Sequence, residues 1–135
     1  MDREWIERSL PQLHGQLPGS LELAYLGDAV YELYVRGHLV RRSGRVRDLH
    51  QHAVAYVNAR AQANALCAIE SRLTEEERDV VKRARNAHQT PPRNQDAHDY
   101  HLATAFEALL GYLALREQYD RMEELIRPIF ETEGA

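Results

Sequence analysis

Cysteine is nearly absent, for the chain of 135 residues holds one, Cys67. A lone cysteine can form no internal disulfide and has no partner cysteines for zinc. Set among Ala65, Leu66, Ala68 and Ile69, it reads as a buried structural thiol. Also missing is any apolar run long enough to cross a bilayer or serve as a signal peptide, and the start, Met1-Asp2-Arg3-Glu4-Trp5, is charged. A soluble, cytoplasmic protein with no membrane partner is expected. No stretch alternates apolar with polar residues for long enough to make a strand, and repeats and low-complexity segments are lacking. What is left is an all-α chain whose length, 1–135, suits a single domain.

Positive charge is not in excess either. Seventeen Lys and Arg against twenty-one Asp and Glu give a net charge of −4, which argues against a surface coated throughout for nucleic acid. Its distribution is uneven. Arg36, Arg41, Arg42, Arg45 and Arg47 follow one another with no acid between, as do Lys82, Arg83, Arg85 and Arg93. Each run is either a set of phosphate contacts or a solvated helix end.

Helical periodicity accounts for most of the chain. Residues 21–38 are apolar nearly all round, which predicts a central helix stopped by Gly37, Ser43 and Gly44. Over 48–71 an alanine-rich run predicts one long helix with Asp48 as its N-cap. Thr74 and Glu77 form a capping box that opens a short helix over 75–86. Pro91 and Pro92 then force a polar, basic loop, because proline has no N–H and disfavours helix at the residue before it. A fourth helix is expected over 96–115, and a fifth over 120–131 that Pro128 kinks or ends.

Two carboxylates stand out. From Leu102 to Leu115, Glu107 is the only charged residue; Leu102, Phe106, Leu109, Leu110 and Leu113 share one face, while Tyr100, Thr104, Glu107 and Gly111 line up opposite. An ionised carboxylate in such surroundings is costly unless a cation or several donors satisfy it. Asp28 lies in a similar setting between Gly27 and Ala29, on a face with Leu21, Ala24, Tyr31, Glu32 and Val35. Glycine inside a helix costs roughly 1 kcal/mol relative to alanine, so Gly27 and Gly111 point to close approach of another backbone. Helices crossing there would bring Asp28 to Glu107, and two carboxylates sharing a site repel unless a divalent cation joins them. Hard oxygen ligands favour magnesium, with manganese as a substitute. The other reading of the same residues is a pair of buried acids held by arginine or backbone donors. His98 and His101, three apart on a helix, have the spacing of a zinc pair but no evident third or fourth ligand.

Leu21-Glu22-Leu23-Ala24-Tyr25-Leu26-Gly27-Asp28 resembles the ribonuclease III signature, Glu-Arg-Leu-Glu-Phe-Leu-Gly-Asp, and Thr104-Ala105-Phe106-Glu107-Ala108-Leu109-Leu110-Gly111 resembles its second motif, Asp-x-x-Glu-Ala-Leu-Ile-Gly. Gly27-Asp28-Ala29-Val30-Tyr31-Glu32, Lys82-Arg83-Ala84-Arg85-Asn86-Ala87 and the stretch from Ala105 to Leu113 are similar to the Mini-ribonuclease III branch, a bare catalytic domain without a double-stranded-RNA-binding domain. The signature glutamates fall on Leu21 and Ala24, and the second motif's aspartate on Thr104, so only Asp28 and Glu107 carry over as catalytic and metal-binding residues. Thr104 and water would complete the shell. Glu32 is either a replacement ligand or the partner of Arg36 in an i,i+4 ion pair.

That resemblance implies metal-dependent hydrolysis of double-stranded RNA by a homodimer paired through the signature helix, with Leu23, Tyr25, Leu26 and Val30 as its apolar contacts. The expected substrate is precursor 23S ribosomal RNA, with a ribosomal protein as a further partner. Arg83, Arg85, Asn86 and Arg93 lead the RNA contacts, with Lys82, Arg36, Arg41 and Arg42 beside them. The missing acids leave one alternative, a catalytically inactive dimeric RNA-binding module on the same fold. Cleavage and binding without cleavage separate the two.

Overall fold

A computed structural model describes Leu10, residues 16–42 and residues 44–131. The charged start, residues 1–5, and Ser43 lie outside the described residues. Among the described residues six α-helices follow one another: α1 (Ser20–Arg41), α2 (Val46–Val57), α3 (Ala59–Ile69), α4 (Glu75–Arg85), α5 (Ala97–Leu115) and α6 (Tyr119–Glu131), with a single 3-10 turn (Glu70–Arg72) between α3 and α4. Among the described residues there is no strand, and no helix is long and apolar enough to cross a membrane.

The centre of the molecule is α5, not α1. Every residue from Leu102 to Leu115 is buried except Glu107, which is half-buried. Such a helix needs cover on all sides, and α1, α3, α4 and α6 supply it, α1 most extensively. Each fully buried leucine contributes roughly 1.5–3 kcal/mol, so the Leu109, Leu110 and Leu113 cluster is a large share of what holds the fold. The apolar character of α1 divides into two faces. Leu23, Tyr31, Val35 and Leu39 pack inward, with Tyr31 edge-on to Phe106 at 5.0 Å between ring centroids. Outward, Tyr25 is 85 % exposed and Leu33 64 %, unpartnered among the described residues.

Gly27 and Gly111 mark where α1 crosses α5. A Cβ on Gly27 would overlap the Glu107 carbonyl oxygen and lie 2.9 Å from the Gly111 nitrogen; one on Gly111 would overlap the Leu23 carbonyl oxygen. The two backbones are in direct contact, which only glycine allows. The other helical glycine expected to matter, Gly37, does not stop α1; it is exposed within the helix, which runs on to Arg41.

The single helix expected over 48–71 is two helices. Asn58 leaves the helical region (φ −72°, ψ 157°) and splices the segments. Its Nδ2 donates to the Val54 carbonyl at 2.9 Å, closing α2, while its Oδ1 accepts from the Ala61 N–H at 2.8 Å, opening α3. Asp48 is therefore not an N-cap but sits in the first turn of α2, whose N-cap is Arg45. On α4 the capping box is complete, with Thr74 N–H donating to Glu77 at 2.8 Å and Glu77 N–H to Thr74 Oγ1 at 3.1 Å. The same Glu77 carboxylate, 3 % exposed, receives Arg121 of α6 at 2.8 Å, and this pairing holds its pKa below the ordinary carboxylate value. Pro128 lies inside α6, which continues through it to Glu131. Cys67, expected to be buried, is exposed on the outer side of α3.

Candidate metal centre and nucleic-acid interface

The crossing of α1 over α5 opens on one side into a cavity of about 640 Å³. α1 contributes Leu21, Ala24, Tyr25 and Asp28; α5 contributes Asp99, Tyr100, Ala103, Thr104 and Glu107. The break at Asn58 turns the start of α3 toward the same space, so that Arg60 and Gln62 line it, and the loop before α5 closes the rim with Gln89, Gln95 and Asp96. Local chemistry fixes that loop: Gln89 Nε2 donates to Thr104 Oγ1 at 2.9 Å, Thr104 donates in turn to the Tyr100 carbonyl at 3.0 Å, and Asp96 caps α5 by accepting from the Asp99 N–H at 3.0 Å.

Asp28, which is exposed, and Glu107, which is half-buried, both line this cavity and lie close enough for their side chains to interact. The Glu107 carboxyl is pushed up to about 8, first by burial, then by the hydrogen bond and negative charge of Asp28. Gln62 hydrogen-bonds Glu107 and pulls the other way, while Glu32 adds a smaller upward push. Two acids and one neutral amide act on Glu107; no arginine or lysine is among them. The two acids are not a buried pair, since Asp28 is exposed, and among the described residues no arginine or lysine acts on Glu107. The donors are all oxygen, two of them carboxylates that repel until a cation joins them, and this set fits a hard divalent ion.

The remaining candidates fall elsewhere. Thr104 borders the cavity, but its hydroxyl ties Gln89 to the Tyr100 carbonyl and so anchors the loop. Glu32 pairs with Arg36 at 3.6 Å, one turn on. The group of three potential ligands found in this region among the described residues is Asp96, His98 and Asp99, of which Asp96 and His98 are exposed and Asp99 half-buried; His101 is not among them. Of the proposed RNA contacts, Arg36, Arg41, Arg42, Lys82, Arg83, Arg85, Asn86 and Arg93 are all exposed and none lines the cavity. Arg83 is paired with Asp79 at 3.1 Å, whereas Lys82 and Arg85 border a separate cleft on the outer side of α4. Arg60, the one cation lining the cavity among the described residues, and the buried Gln62 have no conspicuous signature in the sequence. Leu23, named above as a dimer contact, is 4 % exposed and packs into its own core.

Comparison with known proteins identifies the family. The profile of the Ribonuclease III domain matches residues 21–118, which include both carboxylates. A Mini-ribonuclease 3 from Symbiobacterium thermophilum is 50 % identical over 79 % of this chain and 84 % of its own, and one from Enterococcus faecalis is 46 % identical over 88 % and 89 %. A crystal structure of a Fusobacterium nucleatum protein superposes with a TM-score of 0.80 at 33 % identity, covering 84 % of this chain and 93 % of that one. The chain belongs to the ribonuclease III family, in its Mini-ribonuclease III branch, and is a hydrolase of that type.

Proposed function

We propose that this endoribonuclease cuts double-stranded RNA with a divalent cation held between Asp28 and Glu107. The observation that carries the reading is that these two carboxylates line one open cavity close enough to interact, with no basic side chain among the described residues acting on Glu107. The net reaction adds water across a phosphodiester: a hydroxyl oxygen bonds to phosphorus, the bond to the bridging sugar oxygen breaks, and that oxygen takes up a proton. Magnesium, with manganese as a substitute, supplies the acidity that makes water a nucleophile near neutral pH and offsets charge on the phosphate. Asp28 and Glu107 hold it, Arg60 faces the incoming phosphate, and Gln89 keeps the rim in place by its bond to Thr104.

A-form RNA hides its major-groove base edges, so recognition rests on phosphates and 2′-hydroxyls. Arg41, Arg42, Lys82, Arg85, Asn86 and Arg93 serve that outer contact, and Arg36 and Arg83 join it by giving up their intrahelical partners. The exposed face of α1, Leu21, Tyr25 and Leu33, with Leu26 and Val30 half-buried beside it, is the surface that pairs two copies into a homodimer. Because Leu21 and Tyr25 also line the cavity, the partner copy sits next to it and sets two sites against opposite strands. The proposed substrate is precursor 23S ribosomal RNA in the cytoplasm, presented with a bound ribosomal protein.

The test is cleavage of an RNA duplex, and of each of its single strands, with magnesium, with manganese and with EDTA. Cleavage of the duplex alone, abolished by EDTA, is the expected result. Duplex binding without cleavage under either metal would favour the inactive module, which the absence of acids at Ala24 and Thr104 makes the competing reading.

A further inference from the structure

The α1–α5 crossing accounts for why two carboxylates meet, but not for how Glu107 is held in one orientation. Three polar side chains are buried among the described residues: Gln62 and Glu77, each 3 % exposed, and Thr104 at 6 %. Glu77 is satisfied by Arg121 and Thr104 by Gln89 and the Tyr100 carbonyl. Gln62 is the third; it lines the same cavity as Glu107 and Asp28, and its amide acts on the Glu107 carboxyl. Its neighbours on the inner face of α3 are Ala63, Ala65, Leu66 and Ile69, so an apolar side chain of similar length would fit the packing without any polar group to bury. An amide here is explained by what it touches.

Its neutrality matters as much as its hydrogen bond. A lysine or arginine at this place would satisfy Glu107 with a fixed positive charge and so compete with a divalent ion. A glutamine N–H can fix one carboxylate oxygen and leave the pair's negative charge intact. Resting on the metal-site reading above, we infer that Gln62 is a positioning residue: its side-chain amide donates to one Glu107 oxygen and turns the other toward Asp28, and as a neutral donor it reserves the pair for a divalent cation. The splice at Asn58 belongs to the same device, since it aims the first turns of α3 into the cavity.

The experiment is a manganese titration of the metal-free full-length protein, read as loss of the free-ion electron paramagnetic resonance signal, beside a metal-free thermal melt. Gln62→Met keeps length and removes the donor; it should weaken manganese binding about 10- to 100-fold while the metal-free melting temperature stays the same or rises. Gln62→Lys should abolish manganese binding and raise the metal-free melting temperature, an outcome that a merely structural glutamine would not give. Asp28→Asn is the reference. If Asp28→Asn loses manganese and folded Gln62→Met binds it as tightly as the unmutated protein, the role assigned to Gln62 is wrong and the metal site stands. Should Asp28→Asn itself bind unchanged, the metal-site reading fails and the inference falls with it. If Gln62→Met does not fold, Gln62→Asn carries the test: shortened by one methylene, it should weaken binding, and undiminished binding would overturn the inference.

Discussion

At the residue scale, the burial of Glu107, and after it the neighbouring charge of Asp28, makes an ionised Glu107 destabilising. With Glu107 pushed from an ordinary 4.5 up to about 8, the folded metal-free protein holds a proton that the unfolded chain has already released. Stability therefore falls as pH rises between those values, and the loss is complete above about 8. Each unit of such a shift is worth about 1.4 kcal/mol. Melting curves in EDTA should show the temperature dropping from about pH 5 to about pH 8, with Glu107→Gln flattening the drop and melting higher at the alkaline end. A metal-free melting temperature that rises over this range, with Glu107→Gln less stable than the unmutated chain throughout, would contradict the assignment. Glu107 was legible in the sequence because it is the one charged residue on an otherwise apolar helix; Asp28, exposed and sharing its face with Glu32, was legible mainly from the glycine beside it and the motif around it. Gln62 was not, since a glutamine in an alanine-rich helix looks like a surface residue until its partner on another helix is known. Cys67 shows the converse: apolar neighbours in sequence do not decide which side of a helix faces water.

At the scale of the elements, the site depends on two backbones in contact. Gly27→Ala or Gly111→Ala gains about 1 kcal/mol in helix propensity but drives a methyl into a carbonyl oxygen of the facing helix. Because the obstacle is backbone rather than a flexible side chain, α1 and α5 must move apart, at a net cost of about 3 kcal/mol. Chemical denaturation of either variant measures this, and a cost near zero would mean the crossing is looser than described. The crossing could be anticipated, for glycine inside an apolar helix is expensive without a packing reason. The splice at Asn58 could not, because Val57-Asn58-Ala59 holds no proline or glycine, and the break depends on one asparagine side chain bonding two helix ends at once. Nor could the ranking of α1 and α5 be read, since both are apolar all round; one is enclosed by its own chain and the other keeps a face for something else.

For the whole molecule, the proposed function rests on that exposed face and the cavity beside it. Tyr25, 85 % exposed, is the largest apolar side chain on the face. Tyr25→Asp should weaken self-association by about 2 kcal/mol or more, roughly thirtyfold in Kd, in sedimentation velocity runs, and leave the helical circular dichroism intact. A dimer of unchanged affinity would move the interface elsewhere. The proposed outer RNA contacts, Arg36 to Arg42 and Lys82 to Arg93, lie outside the cavity that Arg60 lines, so on the proposed reading substrate binding should survive removal of the acids. The most direct measurement is single-turnover cleavage of an RNA duplex in magnesium by the unmutated protein, Asp28→Asn and Glu107→Gln, with duplex affinity measured in parallel. Both variants are predicted to bind the duplex as tightly as the unmutated protein and to cleave it at least about 100-fold more slowly. Cleavage at the unmutated rate by either one would show that the carboxylates do not form the metal centre.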